Sequence, residues 1–385
     1  MTRVSILCHT LRGNALGRAW VFHRLLRERF DVELVVSARA GDPVWPPLAS
    51  AGLAPRRWFV PTWPGFRLRA PRIARELVTG DVIIAIKPRL HSFGLALAAQ
   101  RVRRRPVLLD VDDWELGFFN AWADAALAPI SWLSAASNLH TRWYFTRGAS
   151  ADAVTVSTRW LQQRFGGTLI PHARPEAVPP AVPSAHPLVM FAGTPRPHKG
   201  LTDLVAAFRH VQVEGAELRL IGAAGDRSLA RLAEADRRVR LEPAVPLEAL
   251  PERLSRAWVV AIPQRDEVAS RAQLPAKLMD AMALGKAIVS TAVGELPRWL
   301  SDDAGLIVPP GEPRALGAAL ERLLADAALR RRLGERARAR FRELGSEHAV
   351  RPRLHAVIDE LLGRAPHRGG HAANQAAERP AVARW

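Results

Sequence analysis

Leu188-Val-Met-Phe-Ala-Gly-Thr-Pro-Arg-Pro-His-Lys-Gly200 passes from an unbroken apolar run, through a glycine turn, to a basic pair at the mouth of a helical pattern that continues from Thr202 to Val213. An apolar run feeding a helix is the opening half of a βαβ unit, whose strands are buried on both faces and so need not alternate. Gly193 lets the backbone turn tightly where the strand ends. Arg196 and Lys199 lie three residues apart, and the helix behind them offers unpaired N–H groups and the positive end of its dipole. A diphosphate suits that setting. A solvated basic turn reads the same residues, so the segment alone decides little. It is neither a Walker loop, which requires Gly-Lys-Ser/Thr, nor a dinucleotide fingerprint.

The same alternation extends in both directions. Upstream, strands are expected at Val4 to Cys8, Val32 to Ser37, Val82 to Ile86, Val107 to Val111 and Ala153 to Ser157, with helix-period segments such as Arg18 to Arg29 between them. Downstream they are expected at Leu218 to Ile221, Val239 to Leu241, Trp258 to Ile262, Ala287 to Ser290 and Leu306 to Val308. Strands alternating with helices predict α/β architecture with parallel sheets. Proline is dense between Pro171 and Pro187, with Pro175, Pro179, Pro180 and Pro183 inside, which predicts a semi-rigid linker. The expected organisation is a Rossmann-like acceptor domain over 1–170, the linker over 171–187, and a Rossmann-like donor domain over 188–345. A C-terminal helix over 346–364, packing back on the first domain, and a disordered tail over 365–385 complete it. Two doubly wound domains bind ligands outside the carboxyl ends of their strands, in a cleft between them.

Composition narrows the class. The 385 residues favour two domains, and one cysteine excludes both an intrachain disulfide and a Cys-rich metal site. Cys8, inside an apolar strand, reads as a small buried hydrophobe. The net charge of +18 favours anionic partners. Only Lys87, Lys199, Lys277 and Lys286 are lysine, against 51 arginines. A position that keeps lysine is therefore informative, because it retains a compact point charge where arginine is the default. No stretch approaches the roughly 18 apolar residues of a membrane span, and the N-terminal apolar run is too short for a secretory signal. A cytoplasmic chain, peripheral at the inner face of a membrane, is expected.

Gln273 to Pro297 is the second informative segment. Pro275 starts a helix and Gly285 ends it; a buried strand follows, with a glycine turn at Gly294. Lys277 and Asp280 share one helical face. An ammonium for phosphate and a carboxylate for sugar hydroxyls meet the needs of a nucleotide-sugar site, and an ordinary surface ion pair fits the spacing as well.

Taken in order, the glycine turn with Lys199-Gly200, Leu218-Arg-Leu-Ile-Gly222, Lys277-Leu-Met-Asp-Ala-Met-Ala-Leu-Gly285, Ala287-Ile-Val-Ser-Thr291 and Val293-Gly294 resemble the GT-B glycosyltransferases of the retaining family-four, or group 1, type. The resemblance covers residues 188 to 310. It implies transfer of a sugar from a nucleotide-diphosphate donor to a hydroxyl acceptor, with retention and without a metal or other cofactor. Arg196 and Lys199 would hold the diphosphate, Asp280 the ribose or donor sugar, and backbone near Gly222 and Val245 the base. The family commonly carries a second carboxylate eight positions before Asp280, where this chain has Ala272; Asp266 and Glu267 are the nearby acids. A more similar subgroup has Pro-x-Lys here, matching Pro275 and Lys277, which implies that Lys277 contacts the phosphates.

In the first half, Asn14-Ala-Leu-Gly-Arg18 follows the first strand, and the resemblance implies a glycine loop there, pointing to Gly17 and Gly13. Asp110-Val-Asp-Asp-Trp-Glu115 gathers four acids at a strand end. Such a cluster repels itself unless a cation or a hydroxyl-rich ligand offsets it. Asp112 is a catalytic candidate and Asp113 an acceptor-side one. The rival is a phosphatase-like Asp-x-Asp using Mg²⁺, although Trp114 stands where that motif wants threonine, two residues after the second aspartate. His91, after the strand that ends at Ile86, is a further acceptor-side candidate. Arg56 to Arg69 and Trp132 to Arg147 interleave aromatics with arginines, which suits an anionic membrane surface or burial against the first domain; nucleic acid is the less favoured partner. A non-catalytic basic binding module remains the alternative to an enzyme.

Overall fold

The computed structural model describes residues 1–118, 133, 138–176 and 183–363. The expected tail after Ala365, the linker residues Pro179 and Pro180, and Trp132 lie outside these residues. The chain divides into two units: residues 1–42, 54–170 and 351–385 form the first, and residues 43–53 and 171–350 the second.

The first unit is built on a seven-stranded sheet in the order β3-β2-β1-β4-β5-β6-β7. Its strands are β1 (Arg3–Cys8), β2 (Asp31–Ser37), β3 (Arg56–Trp58), β4 (Val82–Ile86), β5 (Val107–Val111), β6 (Ala153–Val156) and β7 (Thr168–Leu169). Every pairing is parallel, as in Val4 beside Val32 on one flank and Val82 on the other. β1, β4 and β5 are buried throughout apart from Arg3, which explains their unbroken apolar sequence. Leu16, Phe22, Leu25 and Leu26 of the helix Asn14–Leu26 join this core. The later part of the helix Glu347–Gly363 belongs to this unit too. There His355 Nε2 lies 2.9 Å from the Leu25 carbonyl, and Asp359 pairs with Arg29.

The second unit is built on β8 (Leu188–Ala192), β9 (Glu217–Ile221), β10 (Val239–Glu242), β11 (Val259–Ile262), β12 (Ala287–Thr291) and β13 (Leu306–Val308), in the order β10-β9-β8-β11-β12-β13. This order reverses between β8 and β11, and that switch point is where an open parallel sheet leaves a crevice at its carboxyl edge. One core layer gathers Phe191, Leu204, Phe208 and Leu320; on the other face Met190, Leu278, Met282 and Phe341 pack together.

Three segments bear on the readings made from sequence. Of the two readings open for the stretch Arg56 to Arg69, burial against the first domain holds for Trp58, which is only 7% exposed and packs edge-on to His91, with Phe66 beside it. The segment Pro171 to Pro187, expected as a semi-rigid linker, is tied to the second unit where it is described. Arg174 N–H donates to the Gly345 carbonyl at 3.1 Å, and the Trp258 indole donates to the Ser184 carbonyl at 2.8 Å. The first unit also gives up residues 43–53 to the second, where Leu247 N–H donates to the Pro47 carbonyl at 2.7 Å and Ser50 to Glu248 at 2.6 Å.

Candidate functional site

At the switch point of the second sheet, the loops after β8 and β11 are locked together. Gly200 has φ +64°, and a Cβ there would collide with the Pro263 carbonyl, so only glycine fits. Arg265 N–H donates to the His198 carbonyl at 2.9 Å from the other side. Gly193, at φ +133°, ends β8 in a conformation side chains avoid. The space its missing side chain leaves is where two of the four lysines meet: Lys277 Nζ lies 3.3 Å and Lys199 Nζ 3.8 Å from the position of a Cβ. Gly222, at the end of β9, backs directly onto the Gly193 carbonyl.

Lys199 also donates to the Thr194 carbonyl at 2.7 Å. Lys277 sits differently, with Nζ 3.3 Å from the centroid of the buried Phe191 ring. Burial, and then the nearby Lys199 charge, push its ammonium well below the ordinary lysine range, and only Asp280 opposes them. Arg196 is exposed ahead of the short 3-10 turn Pro197–Lys199, and the helix Leu201–Phe208 starts after Gly200. Lys199, Lys277, Gly193 and Gly222 thus converge. Gly294 backs onto the carbonyls of Ser270 and Arg271, and Val245 is a partly buried neighbour of the core layer that holds Met190.

Asp280 is 6% exposed and both of its oxygens are held by the Arg174 guanidinium, a partner 106 positions away that sequence reading missed. No carboxylate stands at Ala272, which is fully buried. Of the acids proposed to replace one there, Asp266 is paired with Arg271 on the surface and Glu267 is exposed ahead of the short helix Val268–Arg271.

The first sheet ends in a very different arrangement. Asp110, with no exposed surface, is gripped by Arg18 through two bonds of 2.9 Å and accepts from Thr155 at 2.8 Å. Lys87, 1% exposed, lies 3.1 Å from Asp112, 2.7 Å from Asp113 and 2.6 Å from Glu115. Arg89 takes the other oxygen of Glu115, and Asn14 donates to Asp113 at 3.1 Å. Lys87 adopts φ +67°, a left-handed conformation unusual for a side-chain-bearing residue, while its N–H donates to the Asp110 carbonyl at 2.8 Å.

The four acids are therefore offset by the chain's own cations. The cation that such a cluster was expected to need is thus supplied from within the protein, and the phosphatase-like reading loses its ground, since the oxygens of Asp110 are clamped inside the protein. Burial opposes the Lys87 charge, yet Asp112, Asp113 and Glu115 hold its ammonium well above the usual range. For Asp112 burial wins: its carboxyl is pushed up to about 7, with Lys87 pulling the other way. Asp112 is 2% exposed, so it does not present an open carboxylate to an acceptor.

His91 is also interior. Its Nδ1 lies 2.7 Å from the Ser37 hydroxyl, its ring is surrounded by Trp58, Phe59 and Phe66, and burial lowers its pKa to about 4. Gly17 lies inside the helix Asn14–Leu26, so the loop glycine after β1 is Gly13, the N-cap. His9, which the sequence reading passed over, directly follows β1; burial and then Arg89 lower its pKa to about 3. Cys8 is fully buried, as expected, and burial pushes its thiol up to about 12.

Residues 186–326 match the family Glycosyl transferases group 1. The chain is 34% identical over 181 residues to a D-inositol 3-phosphate glycosyltransferase of Xylanimonas cellulosilytica, covering 44% of this chain and 41% of that protein. It is 27% identical over 256 residues to an exopolysaccharide phosphotransferase of Streptomyces coelicolor, covering 61% of this chain and 26% of that protein. The chain thus spans less than half the length of the curated relatives it matches. Among solved structures, Anabaena HepE in complex with UDP-glucose superposes with a TM-score of 0.73 at 15% identity, over 94% of this chain and 100% of that one. The chain has the GT-B fold, and the match to Glycosyl transferases group 1 is confined to its residues 186–326.

Proposed function

We propose that the protein is a glycosyltransferase that moves a sugar from a nucleotide-diphosphate donor to a hydroxyl acceptor. The observation that carries this reading is the convergence of Lys199 and Lys277 on the side-chain space of Gly193, at the carboxyl edge of β8. A diphosphate seated there meets two amines, with the exposed Arg196 and the start of the helix Leu201–Phe208 beside it. As the bond to the anomeric carbon breaks, negative charge grows on the leaving diphosphate, and cations fixed by the fold stabilise it without reorganising. Holding the acceptor hydroxyl against the anomeric carbon supplies much of the remaining acceleration. The UDP-glucose bound to HepE is consistent with a nucleotide sugar as donor.

In this scheme the protein's cations do the work that Mg²⁺ does elsewhere; the acceptor hydroxyl attacks the anomeric carbon on the face from which the diphosphate leaves, its proton passes to the departing phosphate oxygen, and retention follows. Asp280, oriented by Arg174, reaches the ribose or sugar hydroxyls. Asp112 and Asp113 act as positioning residues that fix the loop after β5. The test is a thermal-shift screen of nucleotide diphosphates and their sugars, followed by product analysis with whichever sugar binds. Stabilisation by none of them would sink the reading; binding without transfer or hydrolysis would favour a non-catalytic module.

We also propose a peripheral membrane location for the acceptor step. No described helix is long and apolar enough to cross a membrane. The helix Trp63–Leu77, however, exposes Leu68 at 82% among Arg67, Arg69, Arg72 and Arg75. Cosedimentation with anionic vesicles that weakens with salt is the expected outcome, because exposed charges are screened over ~10 Å at about 0.1 M. Equal retention on neutral vesicles would overturn it.

A further inference from the structure

We propose, resting on the donor reading above, that the nucleotide sugar binds together with a proton: Lys277 is a neutral amine in the free protein and becomes an ammonium when the diphosphate arrives. Several observations converge on this. The Lys277 amine lies against the buried Phe191 ring and beside the side-chain space of Gly193, the space that Lys199 also enters. The two nitrogens are therefore no more than about 7 Å apart, a separation at which like charges repel appreciably inside a protein.

The groups facing Lys277 do little to offset that. From the loop after β8 comes Lys199, itself a cation, and from its own helix comes Asp280, whose oxygens are already held by Arg174. The Phe191 face attracts a cation, but it replaces only part of the hydration that burial removes. A diphosphate reverses the balance by placing two ionised phosphates against both amines. Lysine is the residue able to respond, because a guanidinium stays protonated throughout. A chain with 51 arginines keeps lysine at this position.

Calorimetric titration of the full chain in two buffers of different ionisation enthalpy, at pH 7, 8 and 9, tests the proposal. UDP-glucose, GDP-mannose and ADP-glucose serve as probes, since their diphosphates are fully ionised at these pH values and contribute no protons. Wild type is expected to take up about half a proton or more at one or more of these pH values. Affinity should then fall with rising pH, by up to about tenfold per unit where a whole proton is taken up. Lys277→Arg, which cannot lose its charge, should bind with no uptake and a flat profile.

Binding by wild type without uptake at all three pH values would overturn the inference and leave the donor reading standing; this arm needs no variant to fold. Uptake that persists in Lys277→Arg, or in Lys277→Met if the arginine variant does not fold, would assign the proton to another group and also overturn it. Failure of all three probes to bind would remove the donor reading, and the inference with it.

Discussion

The carboxyl edges of the two sheets carry opposite electrostatic designs. After β4 and β5, four carboxylates are met by Arg18, Lys87 and Arg89 from the same unit, nearly all of it buried. After β8, two lysines crowd one glycine turn, and the nearby carboxylate of Asp280 is already engaged by Arg174. A network that balances itself gains nothing from an added ion and holds its loops in shape. A site left with surplus positive charge gains most when an anion binds. The contrast separates scaffold from function: damage to the first cluster should appear in stability, and damage to the second in turnover.

The largest expected effect tests the first half of that contrast. Arg18→Met leaves Asp110 buried without its partner and should cost about 3–5 kcal/mol of folding free energy, read from urea denaturation. A loss within error of zero would mean that the cluster relaxes to admit water and is not the rigid scaffold described. Next comes Lys199→Ala, expected to lower transfer by ~100-fold or more while the urea midpoint stays close to wild type. Wild-type turnover in that variant would erase the contrast from the other side.

A finer test uses pH. Asp112 shares the Lys87 ammonium with Asp113 and Glu115, and burial raises its carboxyl to about 7. The folded state therefore holds this proton at pH values where the unfolded chain has lost it. Stability should fall as pH rises from the ordinary carboxylate range through about 7, by roughly 1.4 kcal/mol for each unit of displacement. Asp112→Asn should flatten that decline between pH 5 and 8, and superimposable profiles for the two proteins would refute the assignment. The smallest expected effect is none: EDTA should leave transfer unchanged, and loss of activity on chelation would show that a metal shares the diphosphate with the lysines.

Legibility in the sequence follows the same division. Buried central strands announce themselves, because a strand covered on both faces is apolar at every position; Val82–Ile86 and Val259–Ile262 could be read directly. β3 could not, since an edge strand of sequence Arg-Arg-Trp shows one inward residue and two charges. At the site, the turn from Gly193 to Gly200 and the helix start at Pro275 are local patterns and were visible. The partners that decide charge were not. Arg18 reaches Asp110 across 92 positions and Arg174 reaches Asp280 across 106, distances over which no periodicity carries information. The four-acid cluster was correctly read as needing compensation, but the sequence could not say that the compensation is internal.

The strap formed by residues 43–53 has a practical consequence for taking the protein apart. A fragment beginning at Pro171 and ending at Val350 looks like a self-sufficient donor module, yet it would leave the Leu247 amide and the Glu248 carboxylate without their partners at Pro47 and Ser50. Those two residues lie just beyond Val245, in the loop the family resemblance assigns to the nucleotide base. Dissection at the obvious boundary would therefore unmoor that loop, and a fragment meant to keep its native shape there should carry the strap with it, supplied as a fused segment or as a peptide in trans.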